Sequence, residues 1–90
     1  MALASGLEDA RATALHLLAT RAQGATICPS EIARTLQPAG RAGHAGEDWR
    51  VLMPTVHAAV DQLLAEQRIR LSWKGKGLAR REGPYRIGRV

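Results

Sequence analysis

The sequence predicts a small α+β domain, mainly helical, in which three helices precede a basic β-hairpin. Apolar residues recur at three- and four-residue steps in three segments, which is the period of a helix. Residues 69–73 instead alternate with a period of two, which is typical of a strand with one buried face. This order of elements is that of a three-helix winged helix-turn-helix domain, in which the third helix enters the major groove and the C-terminal hairpin forms the wing.

The length of the chain favours a single domain. Ninety residues support one hydrophobic core, and we expect residues 1–90 to form one unit with an ordered core of about 5–88. The single cysteine, Cys28, excludes an internal disulfide, and no apolar run approaches the roughly 20 residues of a membrane helix. These features indicate a cytoplasmic protein.

The first helix is predicted to begin at Ser5. Ser5 and Glu8 have the spacing of a capping box, in which each side chain satisfies a backbone N–H of the first turn. An apolar stripe then runs from Leu7 to Leu18, and Gly24 occupies the place of a left-handed residue after the helix.

A short strand, a second helix and a loop are predicted next. Thr26 and Ile27 are β-branched and favour a strand, whereas Pro29 suits the first turn of a helix that extends to about Leu36. Residues 37–48 contain three glycines and one proline without apolar periodicity, so we expect a flexible connection there.

The third helix is predicted to extend to about Gln67. Asp48 is its expected cap, and an apolar stripe runs from Leu52 to Leu64. Because proline removes a hydrogen bond and clashes with the preceding turn, Pro54 predicts one of two outcomes: a kink near residues 50–53, or a main helix that begins at Pro54.

The C-terminal hairpin is predicted to pair residues 69–73 with a strand around Tyr85–Ile87. The connection between them contains glycines, a proline and several charges, and we expect it to be longer than a tight two-residue turn. Trp73 is expected on the buried face of the hairpin and Trp49 against the core. The alternative for Trp73 and Tyr85 is stacking on exposed nucleobases.

Positive charge is concentrated in this hairpin. Residues 68–90 hold eight of the 13 basic side chains and one acid, Glu82, whereas the formal net charge of the whole chain is only +5. Such a cluster favours a polyanionic partner, since each neutralised phosphate releases counterions. The candidate phosphate-binding residues are Arg70, Lys74, Lys76, Arg80 and Arg81.

The third helix offers few residues that read bases. Thr55, His57 and Gln62 are expected on its outward face, and Arg50 precedes it within reach of a phosphate or a guanine edge. Asp61 and Glu66 on the same face would repel phosphate. We therefore expect weak sequence preference.

No motif indicates an enzyme or a cofactor. Paired catalytic carboxylates, a phosphate loop and a dinucleotide-binding turn are not found in the sequence. Cys28 and the three histidines have no zinc-site spacing, so no metal is expected. Cys28 itself is interpreted as a small buried apolar residue rather than a reactive thiol.

Three segments carry a resemblance to a known family. They are Cys28–Glu31 (CPSE) within TICPSEIARTL, Asp48–Arg50 with Leu52–Pro54, and Gly83–Ile87 (GPYRI). Over roughly residues 12–88 the sequence resembles a bacterial family, the domain of unknown function 3253, from which it differs by its long loop at 37–48. The resemblance implies a winged-helix-like fold and implies no activity.

Two functions remain as hypotheses from the sequence. The first is binding of nucleic acid, in particular duplex DNA, through the basic wing with weak sequence preference. The alternative is a protein–protein interaction module that uses the same cations to bind an acidic partner, since fold does not fix function.

Overall fold

The computed structural model describes residues 2–36 and 48–90, which form three α-helices and a four-stranded antiparallel sheet. The predicted α+β class, mainly helical, is confirmed. The predicted flexible connection at 37–48 lies outside the described residues except for its last position. The helices are α1 (Ala2–Thr20), α2 (Pro29–Leu36) and α3 (Met53–Ala65), and the strands are β1 (Thr26–Ile27), β2 (Ile69–Trp73), β3 (Lys76–Leu78) and β4 (Arg86–Arg89).

The first helix begins earlier than predicted. α1 starts at Ala2, so Ser5 lies inside the helix and is not its N-terminal cap. The prediction was wrong because Ala2, Leu3 and Ala4 are strong helix formers that extend the helix past a plausible cap. Gly24 has the expected positive φ, +90°, in the turn between α1 and β1.

The second helix begins at Pro29, as predicted. A carboxylate oxygen of Glu31 accepts a hydrogen bond from the Cys28 N–H at 3.1 Å, and the Glu31 N–H donates to the Cys28 carbonyl at 2.9 Å. The bond from the Cys28 N–H to the Glu31 carboxylate is one of the two hydrogen bonds of a capping box. Cysteine here takes the cap position usually held by serine or threonine.

The start of the third helix decides between the kink and the later helix start that Pro54 predicted. A 3-10 helix covers Asp48–Leu52, and α3 begins at Met53 with Pro54 in its first turn. The second alternative is therefore confirmed to within one residue. Asp48 is not the cap of α3, because the cap position is Leu52, four residues later.

The sheet is larger than the predicted hairpin. Its strand order is β1-β4-β2-β3, so β4 lies between β1 and β2, and β3 forms an edge that the sequence analysis did not anticipate. β2 and β3 join through the two-residue turn Lys74–Gly75, with φ of +52° and +84°. Positive φ at both positions is the type I′ arrangement, and lysine in place of the usual asparagine or aspartate concealed this turn. The predicted pairing of residues 69–73 with the later strand is confirmed as β2 with β4, and the connection between these two strands is longer than two residues, as predicted, but it contains β3.

One aliphatic core joins the three helices to the inner face of the sheet. α1 and α3 pack against each other, and α1 contributes the fully buried Ala10 and Ala14 to the core. Trp49 is half-buried against this core, as predicted, and Tyr85 is 5% exposed. The largest fully buried side chains are Ile27, Ile32, Val56, Val60, Leu63, Leu71 and Ile87.

Trp73 does not occupy the buried position predicted for it. Ile69 and Leu71 are buried, as the alternation predicts, whereas Trp73 is 38% exposed. β4 pairs with β2 only from Ile69 to Ser72, and Trp73 pairs only with Lys76 of the edge strand. The strand therefore extends beyond the core, and its last apolar residue is left partly in solvent.

Candidate nucleic-acid interface

Many of the basic side chains have partners within the protein. Both terminal nitrogens of Arg11 bond to the Glu66 carboxylate at 2.7 and 2.9 Å, and Arg81 bonds to both oxygens of Asp61 at 3.0 Å. Arg21 pairs with Glu31. Such two-point arginine–carboxylate contacts fix the geometry as well as the charge, and these six residues are called the ion-paired region below.

Asp61 and Glu66, the two acids of the third helix that were expected to repel phosphate, both belong to the ion-paired region. The hydrogen bond from Arg81 lowers the pKa of Asp61 below its usual range, and the hydrogen bond from Arg11 does the same to the pKa of Glu66. Both carboxylates are ionised at neutral pH and each has an adjacent guanidinium, so the outer surface of α3 carries less negative charge than its sequence indicates.

Other C-terminal basic residues hold the sheet together or lie near an acid. Arg86 donates to the hydroxyl and the carbonyl of Thr26 at 3.0 and 3.2 Å, and Arg89 donates to the Arg21 carbonyl at 3.4 Å. Arg68 and Arg80 are each 3.9 Å from a glutamate, with Arg80 81% exposed. These longer contacts are weak in water.

Of the eight basic side chains in residues 68–90, three make neither an ion pair nor a side-chain hydrogen bond with another described residue: Arg70, Lys74 and Lys76. All three are exposed. Arg70 lies on the outer face of β2, Lys74 in the two-residue turn, and Lys76 opposite Trp73 on β3. We call them the hairpin cations, and they are the charges best placed to meet a polyanion.

The predicted base-reading residues of α3 are mostly engaged within the protein. Thr55 is half-buried and faces Gly6 of α1, while the Gln62 side-chain oxygen accepts a hydrogen bond from Arg11 at 3.0 Å. Arg50 lies over the ring of Trp49, 4.7 Å from its centre, and Arg34 lies 4.8 Å from the same ring. Of the residues predicted to read bases, only Gln62 and Arg50 are exposed.

His57 is held by Tyr85. Nδ1 of His57 and the Tyr85 hydroxyl are 2.8 Å apart and hydrogen-bonded, and the two rings are tilted with centres 5.8 Å apart. Burial lowers the pKa of His57, and Arg81 lowers it further, whereas burial raises the pKa of Tyr85. Both side chains are therefore neutral near pH 7, and the pair brings no charge to the surface.

A pocket of about 350 Å³ adjoins this pair. The side chain of Trp73 is partly exposed within it, and the Gly83–Pro84 turn, in which Gly83 has φ +62°, forms another wall. Four separate segments contribute to its lining: Cys28–Pro29, His57, Trp73 and residues 83–86. Apolar and aromatic groups dominate the lining, which suits a flat, uncharged group.

Sequence reasoning missed this pocket because no single segment encodes it. Trp73 was placed on the inner face by its alternation with Ile69 and Leu71. Its position in the sequence could have indicated otherwise. Trp73 directly precedes a tight turn, and a residue at the end of a strand can lie beyond the part of the sheet that the helices cover. Cys28, expected to be fully buried, is half-buried at the pocket and lies 3.1 Å from the Ser30 hydroxyl.

The described ranges 2–36 and 48–90 contain no cluster of three His, Cys, Asp or Glu side chains arranged to bind a metal. Within the same ranges, no helix has the length and hydropathy needed to cross a lipid bilayer.

Comparison with known families is decisive for the resemblance noted in the sequence. The model of a family described as "Protein of unknown function (DUF3253)" matches residues 8–90. The chain belongs to this family. A search of curated proteins found no match.

The DUF3253 match spans the residues of the candidate interface. The hairpin cations, the ion-paired region and the Trp73 pocket all lie within residues 8–90. Membership brings no activity with it, so the function of this member has to be argued from the charges and contacts above.

Proposed function

We propose that this DUF3253 protein is a winged-helix domain that binds nucleic acid, in particular duplex DNA, through its basic β2–β3 hairpin with weak sequence preference. The order α1-β1-α2-α3-β2-β3-β4 supports the winged-helix assignment, since three helices precede the hairpin and a short strand between α1 and α2 joins its sheet. The β2–β3 hairpin then corresponds to the wing.

The observation that carries the proposal is the lack of ion pairs at the hairpin cations. Arg70, Lys74 and Lys76 have no carboxylate partner among the described residues, whereas Arg11, Arg21 and Arg81 each have one. Unpaired cations gain most from phosphate, because contact releases condensed counterions without breaking an internal bond.

Weak sequence preference follows from the state of α3. Thr55 faces α1, His57 bonds to Tyr85, and Gln62 accepts from Arg11. Reading a base edge would require each of these contacts to be exchanged for a new one, so discrimination between bases gains little net energy. Phosphate contacts position a protein on DNA but carry no sequence information.

An acidic protein is the second candidate partner. It would use the same hairpin cations, and the exposed Val51 next to α3, 72% accessible, and the partly exposed Trp73 would add apolar contact. This candidate predicts no measurable affinity for DNA even at low salt.

Fluorescence anisotropy with labelled duplexes of unrelated sequence tests the proposal. If three or four cations, namely the hairpin cations and Arg80, neutralise phosphates, the log–log slope of affinity against salt should be about −3 to −4 for every duplex. The matched variant Gln62→Ala should leave affinity and slope unchanged. Absence of binding at low salt, or strong preference for one duplex that Gln62→Ala removes, would contradict the proposal.

A further inference from the structure

We propose that the Trp73 pocket receives one unstacked nucleobase, so that single-stranded or locally opened nucleic acid gains a contact that closed duplex DNA does not offer. This inference rests on the proposed function, because the hairpin cations hold the strand from which the base comes. The cations contact the phosphates, and the pocket contacts the base.

The position of Trp73 supplies the first argument. It ends β2 beyond the region covered by β4, and 38% of the residue remains accessible although it lines a pocket. A large aromatic surface left accessible costs free energy in the unbound protein, and stacking against a flat ring recovers it. Nucleobases stack on such residues without regard to sequence.

The shape and the mainly apolar lining of the pocket supply the second argument. Its volume of about 350 Å³ lies near the lower end of the roughly 300–1,000 Å³ of small-molecule sites, which suits a single ring system. Pro29 and Pro84 add rigid apolar walls, and the pKa of His57, lowered by burial, leaves that wall uncharged near pH 7. Arg86 also lines the pocket, but its guanidinium already donates to Thr26. A flat, uncharged group therefore fits better than a charged one.

The neighbouring charges select a base attached to phosphate. Trp73 pairs with Lys76 across the ladder, and paired residues of antiparallel strands project from the same face. Lys74 follows Trp73 directly in the turn. Cations next to an aromatic platform are the combination that single-strand binding proteins use, with phosphates on the cations and bases on the ring.

A larger hollow of about 680 Å³ between α1 and α3 offers no such combination. Of its three charged residues, Arg11 and Glu66 are already bound to each other, and the third, Glu8, is an acid that would repel phosphate. A ligand there would compete with an existing ion pair.

Tryptophan fluorescence tests the inference directly. The chain has two tryptophans, so the variant Trp49→Phe reports from Trp73 alone. A mixed-sequence single-stranded DNA should quench this signal, whereas an abasic strand with the same number of phosphates should not. The variant Trp73→Leu should lose roughly ten-fold or more in affinity for the single strand and change little for the duplex. Trp49→Phe serves as the matched control and should retain affinity for both.

The outcomes separate the two proposals. If duplex and single strand bind equally and Trp73 is not quenched, the base pocket is wrong and the phosphate-binding hairpin remains. If neither DNA binds at low salt, the proposed function fails and the inference fails with it. Should Trp73→Leu not fold, the comparison of base-containing and abasic strands in Trp49→Phe still decides.

Discussion

The ion-paired region and the hairpin cations carry comparable numbers of positive side chains but differ in what those charges can do. In the ion-paired region each arginine faces a carboxylate, and two of the three contacts use both carboxylate oxygens. The hairpin cations lie within residues 67–81, a stretch of sequence with no acid. Formal charge therefore overstates the charge that is available for binding, because a guanidinium already bound to a carboxylate gains little from a phosphate.

The two tryptophans show the same contrast. Trp49 packs against the core, with Arg34 and Arg50 over its ring. Trp73 ends a strand at the edge of the core and lines a pocket. Trp49 stabilises the fold through these contacts, whereas Trp73 leaves part of its side chain accessible to solvent.

The largest expected effect concerns stability and compares two positions of β2. Leu71 is 1% exposed, so Leu71→Ala should lower the free energy of unfolding by about 2–5 kcal/mol, the range for core truncations. Trp73→Ala removes a larger side chain from a partly exposed site and should cost clearly less. Urea unfolding of both variants measures the difference. An equal or greater loss of stability for Trp73→Ala would show that Trp73 is a core residue like Leu71, and would contradict its role as a partly exposed residue at the pocket.

A smaller loss of stability is expected at acidic pH. It arises from His57 and three carboxylates, none of which lies in the β2–β3 hairpin. Because the pKa of His57 is lowered from its ordinary 6.5, the unfolded chain takes up a proton before the folded protein does as pH falls. The free energy of unfolding should therefore decrease as pH drops below about 6.5. The lowered pKa values of Glu31, Asp61 and Glu66 should produce a further decrease below their ordinary values of 3.8 to 4.5.

Denaturant unfolding at about pH 7.5 and about pH 5.5 isolates the histidine, since the carboxylates stay ionised at both values. The matched variant His57→Asn retains an amide that can hydrogen-bond with Tyr85 but does not titrate, so it should show no decrease across this interval. A wild-type stability that is constant or higher at the lower pH would contradict the buried, neutral state of His57.

Much of the fold could be predicted from the sequence because local rules determine it. Periodicity located the three helices, Pro29 marked the start of α2, and Pro54 indicated the beginning of α3. The errors arose where another local preference outweighed the sequence signal or masked it. Ser5 resembled a cap, but the alanines and leucine before it extend the helix, and Lys74 at positive φ concealed a tight turn.

The site was less predictable because its properties depend on pairs that are distant in sequence. Arg81 was grouped with the free cations, yet it binds Asp61, 20 residues earlier. Arg11 neutralises Glu66 across 55 residues, and His57 meets Tyr85 across 28. Composition reports which charges exist, whereas only the packing of α1, α3 and the loop before β4 determines which of them are free.

Two double variants of equal charge test whether the unpaired state of the hairpin cations determines nucleic-acid binding. Lys74→Gln/Lys76→Gln and Arg11→Gln/Arg21→Gln each lower the formal net charge of +5 by two. We expect the hairpin variant to weaken duplex binding strongly and to reduce the magnitude of the salt slope by about two, while the arginine variant leaves the slope of the folded protein unchanged. Equal losses from both variants would show that net charge alone, and not the unpaired state of the hairpin cations, determines binding.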